Sequence, residues 1–224
     1  MEGRKRQYLE AMGIPVWTQR RRAGPEAAES PGERDSVAQM DWSALATAVA
    51  ACTACALHRT RTQTVFGTGD VRAQWMVIGE APGADEDRQG EPFVGRAGRL
   101  LNAMLHAIGL QREQVYIANI LKCRPPNNRD PRFEEVECCE PFLQRQIQLV
   151  GPRVILAVGR IAAQSLLKTV TPIGQLRGQR HRLPGCQIPV VVTYHPAYLL
   201  RSPQQKRRAW EDLCLARSVV EDSG

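Results

Sequence analysis

Four short apolar runs, each leading into a loop and then into a helical pattern, restrict this chain more than any other feature. They span residues 75–79, 115–120, 153–158 and 189–194. Each is continuous rather than alternating, so each must be covered on both faces. Between them, Leu100, Leu101, Met104, Leu105 and Ile108 share one face of a helix beginning near Ala97. Asp41 and Ser43 can open a helix reaching Cys52, and helical stretches cover 134–150, 161–167 and 203–220. Buried strands separated by helices predict an α/β fold, a three-layer α/β/α sandwich with a central four-stranded parallel sheet.

The first 38 of the 224 residues lack this pattern. Arg20-Arg21-Arg22 runs into AGPEAAESPGERD, which offers little to bury. Residues 1–38 are therefore expected to be a flexible basic extension and linker, and 39–222 one domain. A membrane span needs about 20 consecutive apolar residues, and none occurs, nor does an apolar stretch follow the first basic residues. A cytoplasmic monomer without membrane contact is expected. Lys and Arg total 30 against 23 Asp and Glu, a surplus of +7 that favours a polyanionic partner.

In a parallel sheet the residues just past the carboxyl ends of the strands bind ligands. After the first run comes GEAPGADE (79–86), followed by GEPFVGRAG (90–98). These glycines allow close backbone approach, but neither GxxxxGK[ST] nor GxGxxG is present, which disfavours a nucleotide cofactor. Phe93, in the Gly/Pro-rich loop, is a candidate stacking platform for a base, or else a loop anchor. Asn119 ends the second run, with a donor and an acceptor side by side. His195 ends the fourth, fixed by Pro196 and suited to electrostatic or acid–base work. Leu199, Leu200 and Arg201 then offer an apolar wedge beside a cation, suited to insertion into a duplex.

Seven cysteines in a chain expected to be cytoplasmic point to metal binding or catalysis rather than disulfides. Cys52 and Cys55 form a CxxC pair, Cys123 lies in a Lys/Arg/Pro loop, and Cys138 and Cys139 follow on a helix. A CxxC plus two more thiolates satisfies four-sulfur ligation of an iron–sulfur cluster or a zinc ion. Spacing alone separates neither iron–sulfur from zinc nor Cys138 from Cys139.

Taken together, CTAC (52–55), GEAPGADED (79–87), PFVGRAG (92–98), ANILKCRPP (118–126), the ECCEPFL helix and TYHPAYLLR (193–201) resemble the family 4, iron–sulfur uracil-DNA glycosylases. The resemblance covers about 41–220. It implies a four-stranded parallel sheet and a 4Fe-4S cluster on Cys52, Cys55, Cys123 and Cys139. Excision of uracil from single- or double-stranded DNA, the first step of base excision repair, is the implied activity. Gly79, Glu80 and Ala81 would line the uracil pocket, Phe93 would stack on the flipped base and Asn119 would bond its polar edge. His195 would face the carbonyl that gathers negative charge, and Glu86 would crowd the position of the thymine methyl. Arg124, with Leu199, Leu200 and Arg201, would touch DNA.

The best-known branch of that superfamily carries GQDPY in the first motif, and here its Asp and Tyr positions are Ala81 and Gly83. Glu80 is then the first candidate to position water, and a backbone-held water the second. Competing expectations are a sibling glycosylase acting on hypoxanthine or mismatched bases, a non-catalytic DNA-binding module with structural zinc, and a polymerase-associated or crosslinking relative.

Overall fold

The computed structural model describes residues 36–222. Nearly all of the expected N-terminal extension and linker lies outside the described residues. Val37 and Met40 already pack against Leu45, Val49 and Phe142, so the packed unit includes residues just before position 39.

The described elements alternate. Helix α1 (Trp42–Ala51) is capped by Asp41, whose carboxylate accepts from the Ala44 amide at 2.8 Å. Strands β1 (Thr68–Gly69) and β2 (Trp75–Gly79) precede α2 (Ala84–Gln89) and α3 (Arg96–Ala107). Next come β3 (Tyr116–Asn119), α4 (Phe133–Val150), β4 (Val154–Val158) and α5 (Arg160–Leu167). The chain closes with α6 (Ile173–Leu176), β5 (Arg180–Arg182), β6 (Pro189–Thr193), α7 (Pro196–Arg201) and α8 (Lys206–Glu221).

One sheet of order β1-β3-β2-β4-β6-β5 crosses the domain. Its inner four strands are parallel, as expected, with Gly79 level with Asn119 and Val158 level with Thr193. The expected four strands become six because β1 and β5 add antiparallel edges. Neither edge has an apolar signature: β1 is two residues long, and β5 is Arg-His-Arg.

Side chains of a strand alternate between faces, and this divides the core. Trp75, Val77, Ile117, Leu156 and Val191 face α3 and α8. Met76, Ile78, Ala118, Ile155 and Val192 face α4 and α5. Both faces are covered, so the three-layer α/β/α class holds.

A buried ion pair fixes α8 to the sheet's far edge. Asp212, fully buried, accepts from Arg177 Nε at 3.1 Å and from its terminal nitrogen at 3.0 Å, and from the Gly178 amide at 3.1 Å. Removing one partner strands the other charge, which costs about 3–5 kcal/mol. Asp212→Ala should lower the unfolding free energy by about that amount in urea titrations. A loss below about 1 kcal/mol, the range of an exposed pair, would contradict this account.

Candidate active site and cysteine cavity

The parallel pairing of β2 and β3 continues past the ends of both strands. The Ile120 amide donates to the Gly79 carbonyl at 2.9 Å, and the Leu121 amide to the Glu80 carbonyl at 3.1 Å. Gly79, Glu80 and Asn119 are thereby fixed side by side. A Cβ on Gly79 would lie 2.4 Å from Asn119 Oδ1 and 2.6 Å from Phe93 Cζ, so only glycine leaves room for both. The Asn119 Oδ1 is buried and has no hydrogen-bond partner. A buried acceptor left unpaired costs about 1–3 kcal/mol, which a ligand N–H would recover.

Phe93 stacks on His195, with centroids 5.7 Å apart and planes at 29°. Its backbone is left-handed, φ 54°, a strained state for a bulky residue. Three contacts hold it there. Glu86 Oε1 accepts from the amides of Val94 and Gly95 at 3.1 and 3.3 Å, and Arg112 donates to the Phe93 carbonyl at 3.4 Å. Gly98 lets the loop press onto α3, since a Cβ there would meet the Phe93 carbonyl oxygen at 1.7 Å. Although it lies in a Gly/Pro-rich loop, Phe93 is part of the core cluster beneath α3.

His195 is the N-cap of α7, and its Nδ1 accepts from the Ala197 amide at 3.1 Å. The neutral ring therefore carries its proton on Nε2. Burial, with Arg201 adding to it, pushes the His195 pKa down to about 4, against a smaller opposing pull from Glu86. Gly159, in a positive-φ conformation at the end of β4, abuts this ring: a Cβ there would lie 3.0 Å from His195 Cβ.

Glu80 follows β2 directly. Burial raises its pKa to about 7, Asp130 adds to the rise and Arg160 opposes it. Arg160 itself binds Asp130 at 2.6 Å. Glu86 also accepts from the Gly83 amide at 3.1 Å, so its carboxylate braces two loops. The fourth strand's loop corrects one expectation. Leu199 is 1% exposed and belongs to the core cluster, because α7 turns that face inward; Leu200, at 38%, and Arg201 face solvent. Arg124 is half-buried, with its Nε bonded to Asn128 Oδ1 at 2.8 Å.

Cys52, Cys55, Cys123 and Cys139 line one cavity, along with Cys138, Arg61 and Lys122. Among the described residues no group of three or more His, Cys, Asp or Glu side chains is arranged to hold a single metal ion. Two N–H donors face these sulfurs. Arg61 donates to Cys123 Sγ at 3.0 Å, and the Lys122 backbone amide bonds the Cys139 sulfur. Even with these partners, burial pushes the Cys139 thiol up to about 12 and raises Cys55 and Cys123 as well. Four sulfurs around one cavity, two of them with N–H donors, suit a sulfur-ligated centre. Cys138 Sγ is directed to the Ala54 carbonyl at 3.5 Å.

Sequence reading missed Arg112, Gly98, Gly159, Arg61 and Lys122. Of these, only Lys122 and Gly98 lay inside a quoted motif, and nothing in the spacing marked either one.

Residues 66–214 match the model of the uracil DNA glycosylase superfamily. A type-4 uracil-DNA glycosylase of Archaeoglobus fulgidus is 46% identical over 73% of this chain and 85% of its own length. One from Pyrobaculum aerophilum is 42% identical over 79% and 93%, and one from Thermotoga maritima 44% over 77% and 91%.

The lowered His195 pKa has two measurable consequences. Nitrogen-resolved NMR should find the ring neutral, with its proton on Nε2, from pH 8 to below pH 5. The unfolded chain would bind this proton near pH 6.5, so His195 should cost stability as pH falls from about 6.5 through 4. A ring titrating near 6.5 in the folded protein would refute this environment.

Proposed function

The chain belongs to the uracil-DNA glycosylase superfamily, and on that premise we propose that it is a type-4 uracil-DNA glycosylase initiating base excision repair. It is a hydrolase that cleaves the N-glycosidic bond of uracil in DNA. The observation that carries the reading is the buried, unpartnered Asn119 Oδ1 beside Gly79, Phe93 and His195. Uracil presents an N–H to that acceptor, whereas cytosine presents a lone pair, and the mismatch would leave both atoms unpaired. This favours uracil over the broader-range sibling.

A flipped base would enter against Phe93 and the Gly79–Ala81 backbone, offsetting the few kcal/mol of unstacking. As the C1′–N1 bond breaks, its electron pair passes to uracil. The neutral His195 Nε2–H would donate to the carbonyl that gains this charge, worth about 3–4 kcal/mol for a preorganised donor. Water would then add to the oxocarbenium carbon. Glu80, poised near neutrality, is the first candidate to take its proton, with a backbone-held water as the alternative. Glu86 would act through the loops it braces and limit space near the thymine methyl.

We also propose that Cys52, Cys55, Cys123 and Cys139 hold a 4Fe-4S cluster. These four thiols line one cavity, with Cys138 beside them, which supports a sulfur-ligated centre there. Such a cluster would cross-link α1 to the loop bearing Arg124. Arg124, Leu200 and Arg201 would contact single- or double-stranded DNA. Among the described residues no helix is long and apolar enough to cross a membrane. A cytoplasmic monomer is the proposed working form.

Four experiments test this reading. The purified protein should be brown, with about four irons per chain, and should release free uracil from a uracil-containing oligonucleotide. Colourless, zinc-loaded protein releasing nothing would overturn it. His195→Ala should cut the single-turnover rate about 10²–10³-fold with DNA affinity kept. Excision should rise tenfold per pH unit below about 7 and level off above it, because Glu80 must be ionised. Glu80→Gln should remove that rise, and an unchanged profile would transfer the water to backbone. Leu200→Ala should slow excision from duplex more than from single strands, while Leu199→Ala should act on stability, by about 2–5 kcal/mol.

A further inference from the structure

Lys122 lies between the base-reading residue and the cysteines, and neither the pocket nor the thiol set requires a lysine there. Its side chain is 1% exposed, a rare state for lysine. The Nζ donates to the Asn119 carbonyl at 2.9 Å, in a buried bond. Its backbone amide bonds the Cys139 sulfur, and its carbonyl accepts from the Val65 amide at 2.8 Å. One residue therefore grips the peptide that follows Asn119 and a wall of the cysteine cavity.

An ammonium is an expensive way to fill buried volume. A methionine of similar length would pack there without the desolvation cost of the charge. The cation is explained if a carbonyl must be held and negative sulfur lies near, and Cys123 and Cys139 are close enough to act on it electrostatically. Rotation of the Asn119–Ile120 peptide would swing the Asn119 side chain, whose Oδ1 stands within reach of any atom added to Gly79.

We infer that Lys122 is a positioning residue for uracil recognition: it ties the Asn119 backbone to the cysteine cavity and so sets the aim of the base-reading amide. The inference rests on the uracil reading above. It adds a mechanical link by which disturbance of the cysteine cavity would be felt as loss of base affinity.

A double-mutant cycle tests it, reading the affinity for free uracil by calorimetry together with iron content per chain. The proteins are the intact chain and its Asn119→Ala, Lys122→Met and doubly substituted forms, purified with their metal. Lys122→Met should weaken uracil binding about tenfold, and Asn119→Ala at least as much. The double variant should be no weaker than Asn119→Ala within about twofold, since the lysine acts only through the asparagine. A purely structural lysine would give losses that multiply, and that result overturns the inference, as does wild-type affinity in Lys122→Met. If Lys122→Met fails to fold or loses iron, Lys122→Arg decides. The larger guanidinium cannot reproduce the bond to the Asn119 carbonyl, so uracil should bind several-fold more weakly with iron retained. Unchanged affinity in that variant refutes the positioning role. An unsubstituted protein that neither binds nor releases uracil refutes the function reading first, and this inference with it.

Discussion

Two backbone hydrogen bonds beyond the ends of β2 and β3, from Ile120 to Gly79 and from Leu121 to Glu80, decide where everything else in the site can be. They prolong the parallel ladder into what would otherwise be two independent loops. One consequence is local: the backbone of Glu80 is fixed beside that of Gly79 and Asn119. The other is longer in range. The same prolonged segment delivers Lys122 and Cys123 to the cavity that α1 and α4 close from the other side with Cys52, Cys55 and Cys139. The proposed base pocket and the thiol cavity draw on consecutive stretches of one held segment, so neither can shift alone.

The electrostatics follow from the same enclosure. Burial acts in opposite senses on the two titratable groups. It keeps His195 uncharged and Glu80 protonated up to about neutrality, so each is held toward its neutral form. For the imidazole this is the donor form across the physiological range. For the carboxylate it gives basicity near working pH, at some cost to stability as pH rises from about 4.5 to 7. One environment thus produces a fixed donor and an adjustable base.

Much of this was legible in the sequence. The four inner strands declared themselves because strands covered on both faces must be continuously apolar, and the residues at their ends were found by that rule. The edge strands stayed hidden because Arg180–Arg182 and Thr68–Gly69 have one side in solvent and almost no apolar content. Leu199 and Leu200 look alike in a string, and only the pitch of α7 sends one inward. Glu86 could be noticed as a carboxylate near the pocket, but its three backbone partners come from loops up to nine residues away. Arg112 and Gly159 were invisible because their roles consist of reaching, or of not obstructing, residues distant in the chain.

Gly79 carries an implication for altering which bases are accepted. At most positions around a pocket, a cavity is enlarged by trimming a side chain, but here the nearest wall is already bare backbone. Any added carbon collides with the Asn119 amide and the Phe93 ring together. Room for a purine must therefore come from Phe93, and that ring is also the partner of His195 and part of the core beneath α3. Under the proposed function, breadth of substrate and the setting of His195 are coupled through a single phenyl group, so a roomier pocket would arrive with a loosened histidine.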